Sequence, residues 1–419
     1  MKNDSAKFLK QGQIAHDICT EKSVPEAFAK WLFYKEEIPG WKFVFSTEGI
    51  GPTGIPTSRD FPKGGFLRSM YAGNHLVFFD DTTMEEMLSL GGSNIPVDYS
   101  IMFETNAASY IESKQNGSDK EVIETFTSIL DEIIEYDFNY DYILYQIENS
   151  HNLSTENASK RIYDKLVALE IFRYLDKDHY IKTGEMKPVV PMSKIIKEAT
   201  EKISQMLYII DHATCESGVL GENYQYFYAI FLKAAIIQLS YGKSDLCQKI
   251  EDILSFMHNE INGMFLRELL TVYHFFQKGT ELSFFGKIQK NNHNILKALK
   301  NMVWDVSAFR TLEQMSTITT EGGRYFVPLI LTFDRRMIEI YDLYPVYSCA
   351  FWENKKLPIP FPKYSVPEIL GQHFDTSEVI TDRYFTDIAA AQREHQRQYS
   401  QVNLTNLVTK LENELTSIN

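Results

Sequence analysis

Cysteine is scarce in this chain: there are four in 419 residues, Cys19, Cys215, Cys247 and Cys349, far apart and without a CxxC pair. That excludes a zinc-ribbon signature and a disulfide framework, and it fits the reduced thiols of a cytoplasmic protein. Long apolar runs are missing too. The start, MKNDSAKFLK, has no signal-peptide core, and the longest apolar segment, 226–239, is short for a membrane span and contains Lys233. It is expected to be a buried helix, and no membrane association is expected. Positive charge is in deficit, with 42 Lys and Arg against 56 Asp and Glu and a formal charge of −14. Such a balance argues against a broadly basic nucleic-acid-binding surface, though not against local basic patches. Phosphate-cradling fingerprints are absent as well: the Gly/Pro-rich stretch 48–65 has neither GxxxxGK[ST] nor GxGxxG spacing and reads as an irregular surface loop. No sequence period repeats.

What is present is an ordinary globular composition rich in Tyr and Phe, which argues against disorder. The most informative stretch is 325–341, YFVPLILTFDRRMIEIY. Its apolar run from Phe326 to Leu331 has the character of a strand buried on both faces, and the spacing then changes to that of a helix at Met337, Ile338 and Tyr341. Asp334 stands at the passage, next to Arg335 and Arg336. Similar passages are expected elsewhere. A strand at 75–79 ends in Asp80 and Asp81, a strand at 99–103 ends in Glu104-Thr105-Asn106, and a short strand at 302–304 leads into Asp305. The carboxyl ends of parallel strands are where ligand-binding side chains collect. Aspartate before a helix is also favoured as a cap, which is the competing explanation for Asp305 and Asp334.

Between these signals, 119–276 reads as a succession of amphipathic helices. Within it, DFNYDYILYQIENS mixes Asp137, Asp141, Tyr145, Glu148 and Asn149, either lining a site or packing helices behind a solvated acidic edge. Glu268 stands beside Arg267 in an apolar helix. After Tyr341 the prolines exclude regular central structure, and Lys355, Lys356 and Lys363 mark a cationic loop. One or two surface helices are expected over 382–415.

Four short segments, Phe103-Glu104-Thr105-Asn106, Arg267-Glu268, Trp304-Asp305-Val306 and Thr332-Phe333-Asp334, follow one another along the chain in the order found in the PIN-like nucleases, which the chain resembles. The resemblance implies a helix-rich α/β fold with a small central parallel sheet flanked by helices. An α-helical block is inserted, because Glu104 and Glu268 lie so far apart. The corresponding division is 1–118 for the first strands, 119–265 for the helical insertion, 266–345 for the rest of the α/β domain, and 346–419 for the Pro/aromatic loop and last helices. The chain departs from the family pattern at Glu104, where Asp is preferred.

The resemblance further implies a divalent-metal-dependent nuclease acting on RNA more than DNA. Glu104, Glu268, Asp305 and Asp334 would form a carboxylate cup for Mg2+ or Mn2+, and the ion would balance their mutual repulsion and activate water. Asn106, Thr332 and Arg335 are the expected substrate-binding residues. The alternative is a non-catalytic interaction protein that uses the helical block as its binding surface on an inactive scaffold. A protein partner or a second copy of the chain is compatible with either reading.

Overall fold

Strand-forming sequence in this chain gathers into two sheets, and almost everything else is helix. The structure, a computed structural model, describes residues 2–48, 57–62, 64–91, 94–117, 121–154, 156–213, 219–241, 245–353, 357–374, 378–399 and 403–419. Half of the Gly/Pro-rich stretch, residues 49–56 and 63, and Cys215, Lys355 and Lys356 lie outside the described residues, while Ser58–Phe61 of that stretch is a strand and not the expected irregular loop. Two compact units form. One comprises residues 1–211, 309–335 and 345–362, the other residues 212–308, 336–344 and 363–419. The expected division at 118, 265 and 345 is not the one along which the chain packs, because Phe126, Ile129, Leu166 and Phe172 of the helical block share a core with the strand residues Phe103, Leu329 and Leu331.

The first unit holds the strands β1 (Trp41–Thr47), β2 (Ser58–Phe61), β3 (Gly65–Ser69), β4 (His75–Phe79), β5 (Val97–Phe103), β6 (Tyr140–Asp141), β7 (Tyr325–Thr332), β8 (Val346–Trp352) and β9 (Leu357–Pro362). One sheet, in the order β4-β1-β8-β9, is antiparallel throughout. The helices Lys2–Cys19 and Val24–Tyr34 cover one of its faces, and Trp31, Trp41, Phe43, Phe45 and Phe79 form the core between them. The other sheet runs β2-β3-β7-β5-β6.

In that second sheet β5 is parallel to both β7 and β6, whereas β3 is antiparallel to β7 and to β2. A helix-rich α/β class is therefore observed. The small, wholly parallel central sheet is not, since the parallel part is only β6-β5-β7 within a mixed sheet and a second, antiparallel sheet accompanies it. Residues 62–64 are too short a connection for a parallel crossover, so β2 and β3 form a hairpin that adds an antiparallel edge. Ile101, Phe103, Leu329 and Leu331 enter the core with the helix Thr105–Gln115, while Met102 and Ile330 are buried toward the opposite face. Burial on both faces explains the apolar runs with which β5 and β7 end.

Two local expectations are corrected. The residues 302–304 are not a strand: they lie inside the helix Ile295–Met315, where Ile295, Leu299, Met302, Val306 and Phe309 recur at helical spacing and are buried. Likewise β8 is a central strand in spite of the neighbouring prolines. Those prolines, Pro358, Pro360 and Pro362, fall on the edge strand β9 at alternate positions, so their missing N–H groups all lie on one side of it.

The second unit is helical. Phe227, Ile230, Phe231, Leu232 and Ile236 of the helix Val219–Tyr241 are buried, as expected for that apolar segment. Leu411 and Leu415 of the closing helix Leu404–Ile418 are buried too, and Glu412 accepts a hydrogen bond from Tyr228 Oη at 2.7 Å. Among the described residues no helix is long and apolar enough to cross a membrane.

Candidate functional site at the carboxyl edge of a parallel strand pair

The parallel register pairs Phe103 of β5 with Leu331 of β7, so the next residue on each strand, Glu104 and Thr332, emerges at the same sheet edge. The Glu104 amide donates to the Leu331 carbonyl at 3.3 Å, carrying the ladder one residue past the strand. The helix Thr105–Gln115 begins immediately afterwards. Glu104 is its N-cap residue by backbone geometry, yet its side chain makes no capping hydrogen bond. The carboxylate turns to the sheet edge instead: Oε1 accepts from Asn106 Nδ2 at 3.2 Å and Oε2 accepts from Thr332 Oγ1 at 3.1 Å. Thr332, fully buried, also accepts the Asp334 amide on its hydroxyl at 3.0 Å. One threonine thus ties the Glu104 carboxylate to the turn that carries Asp334.

The capping that Glu104 leaves undone comes from another helix. Thr105 donates to Glu148 through both its backbone amide and its hydroxyl, the latter at 2.5 Å to Oε2. Asn149 Nδ2 donates to the same hydroxyl at 2.8 Å. A carboxylate against a helix N-terminus meets unpaired N–H groups and the positive end of the dipole. Burial pushes the Glu148 carboxyl up from its ordinary range, against the hydrogen bonds from Thr105 and the charge of Lys165. Lys165 reaches in from the helix Glu156–Arg173, donating to Ser109 Oγ at 2.7 Å and lying 3.8 Å from Glu112. Burial pushes this ammonium down, against the attraction of Glu112 and Glu148. Tyr110 closes the edge with its ring T-shaped on Phe333 at 4.8 Å, and burial, together with the Glu104 charge, pushes its phenol up.

The residues expected from sequence are distributed as follows. Glu104, Asn106, Thr332 and Asp334 come together through the hydrogen bonds just described, and Arg335, exposed, follows Asp334. Glu268 is fully buried in the first turn of the helix Leu266–Lys278, and Asp305 is in the interior of the helix Ile295–Met315; both belong to the second unit. Asp305 therefore neither ends a strand nor caps a helix, because the apolar triplet before it is one turn of a longer helical stripe. Asp80 is a cap: its Oδ1 accepts the Thr83 amide at 2.7 Å.

Thr105, Lys165 and Tyr110 were not legible as site residues, and Glu148 and Asn149 showed only as part of an aromatic and acidic mixture. Among the described residues, no group of three or more His, Cys, Asp and Glu side chains is arranged to hold a metal ion. Glu104 and Asp334 carry hard carboxylate oxygens, and the Thr332 hydroxyl links the Glu104 side chain to the Asp334 amide. Such a donor set suits a small divalent cation that keeps most of its own water, as Mg2+ does when one or two carboxylates and a substrate phosphate complete its shell. Comparisons with protein-family models, with curated proteins and with solved structures give no match to this chain.

Proposed function

We propose that this protein is a divalent-metal-dependent nuclease hydrolysing phosphodiester bonds, RNA before DNA, at the carboxyl edge of the β5–β7 pair. The observation that carries the reading is the bridge from Glu104 through the Thr332 hydroxyl to the Asp334 turn, made by a carboxylate that its own helix does not use as a cap. Bound Mg2+ or Mn2+ would supply charge for the phosphate and lower the pKa of a bound water. The protein's own part is to hold the two carboxylates. Asn106 and Thr332 each donate to one Glu104 oxygen, which fixes the rotamer of that carboxylate at the sheet edge. Arg335, exposed just beyond Asp334, would meet a substrate phosphate. Glu268 and Asp305 are not needed for this reading, which rests on Glu104 and Asp334.

The test is cleavage of labelled single-stranded RNA across a panel of divalent ions. Cleavage with Mn2+ or Mg2+ is expected, with a loss of more than about hundredfold in Asp334→Asn, beyond what removing a supporting hydrogen bond would cost. Inertness with every ion overturns the reading. A second reading, in which the helical block is a binding surface, is favoured by one observation: Met192, Ile196 and Leu207, spaced along one helix, are 45%, 48% and 48% exposed. Full RNA-cleaving activity after Ile196→Glu and Leu207→Glu would separate the two.

A further inference from the structure

Away from the Glu104 edge, the packing of the helix Met192–Ala213 on the helix Glu156–Arg173 encloses a carboxyl group with no donor. Glu170 is fully buried, and neither of its oxygens accepts a hydrogen bond from a described residue. Arg173 Nε stands 3.8 Å from Oε2, close enough for charge attraction and too far for a hydrogen bond. The group within hydrogen-bonding reach of Glu170 is a second carboxyl, that of Glu198 on the helix opposite. Glu198 is itself held in place, accepting from Tyr174 Oη at 2.7 Å, with Lys194 Nζ at 3.9 Å.

Two ionised carboxylates have no proton to share and repel each other, whereas one acid and one carboxylate form a short, strong hydrogen bond. We propose that Glu170 and Glu198 are a proton-sharing latch fastening the Met192–Ala213 helix to the Glu156–Arg173 helix, tight while the pair holds one proton and slack once both are ionised.

The surroundings support the retention of that proton. Burial, the largest influence, pushes the Glu170 carboxyl up, and Glu198 pushes the same way; Arg173 and Lys202 oppose them. Tyr140 of β6 also senses the Glu170 charge, and the two cations are flanked by Asp141 and by Tyr142, whose ring is 5.0 Å from the Arg173 guanidinium and 5.8 Å from the Lys202 ammonium. Asp141 already accepts from Ser100 Oγ at 2.6 Å and the Ile143 amide at 2.9 Å, so its oxygens are committed elsewhere. Since the folded chain keeps a proton that the unfolded chain releases above the ordinary value of 4.5, the latch's stabilisation is complete below that value. It is lost as pH rises through the raised folded value. Ile195, Ala199 and Met206 anchor the helix by apolar burial that carries no titratable group, so the expected response is local protection of the helix.

The experiment is hydrogen exchange of the full chain from about pH 5 to about pH 8, corrected for the intrinsic pH dependence of exchange. In the wild type, amides of residues 192–207 are expected to lose protection by roughly tenfold across that range, the factor that accompanies one unit of pKa. In Glu170→Gln the carboxamide donates to ionised Glu198 at every pH, so protection should stay level. Glu198→Gln runs the same test from the partly exposed partner, should the buried substitution prevent folding. Level protection in the wild type, or an unchanged slope in a folded Gln variant, overturns the latch.

Discussion

Asp80 and Glu104 occupy equivalent places in the two sheets of the first unit. Each is the first residue after a buried strand and the N-cap residue of the helix that follows. In the antiparallel sheet, Asp80 is fully employed by the fold. It accepts the Thr83 amide and hydroxyl on Oδ1 at 2.7 and 2.8 Å, takes the buried Tyr325 hydroxyl on Oδ2 at 2.8 Å, and lies 3.5 Å from Arg324. In the mixed sheet, capping is delegated to Glu148, and Glu104 is turned toward Asn106 and Thr332 at the carboxyl edge of parallel strands. The same sequence pattern, an acid between strand and helix, thus yields a capping carboxylate in one sheet and a carboxylate turned to the strand edge in the other. What separates them is whether a second acid reaches the helix N-terminus.

The largest effect that would break this comparison concerns stability. Asp80→Ala leaves the buried Tyr325 hydroxyl without its acceptor and uncaps the helix at Thr83, while Arg324 keeps Glu86 at 2.6 Å; an unsatisfied buried group and a lost cap together cost about 2–4 kcal/mol. Glu104→Ala, at a half-buried position with its helix still capped, should cost at most about 1 kcal/mol. Urea unfolding of both variants, read beside Mn2+ titration calorimetry, checks it. The expected pattern is crossed: Asp80→Ala loses stability and keeps ion binding in the folded fraction, whereas Glu104→Ala keeps stability and loses ion binding. A large stability loss in Glu104→Ala would make it a second structural acid.

A smaller effect sharpens the geometry of the edge. Thr332→Val keeps the volume and removes the hydroxyl that joins Glu104 to the Asp334 turn. Groups that orient an ion-binding carboxylate are worth about 10–100-fold in affinity or activity, and that is the expected loss. Glu104→Asp tests the same contact from the other side, since a side chain one bond shorter no longer reaches across to β7. It should resemble Thr332→Val; an increase in Mn2+ affinity instead would mean that the contact with Thr332 is incidental.

How much of this could be read from the residues alone follows from what each feature depends on. β5 and β7 are legible because each ends in an apolar run buried on two faces, 101–103 and 329–331, with the acids standing out where the runs end. Asp305 was misplaced because three apolar residues carry no period of their own, and the longer stripe from Ile295 to Phe309 settles them as helix. β8 was obscured by prolines that belong to its edge neighbour, and β6, two residues long, has no pattern at all. The register that sets Glu104 beside Thr332 is a tertiary fact, as is the reach of Glu148 to Thr105. Neither has a local signature, since both partners are distant in sequence.

The smallest effect is the one on which the comparison turns. Glu148→Ala removes the acceptor for both the amide and the hydroxyl of Thr105, and the loss of a cap costs about 1 kcal/mol. Glu104, already at the N-cap position, is then the nearest carboxylate able to turn back onto its own helix. Stability measured by urea unfolding should fall by that small amount while Mn2+ affinity falls with it, because a Glu104 recruited as a cap is withdrawn from the sheet edge. Glu148→Gln keeps an oxygen for Thr105 and should leave both quantities near wild type. If Glu148→Ala changes stability alone, Glu104 is held at the edge by Asn106 and Thr332 regardless of who caps the helix, and the contrast with Asp80 reduces to the parallel register of β5 and β7.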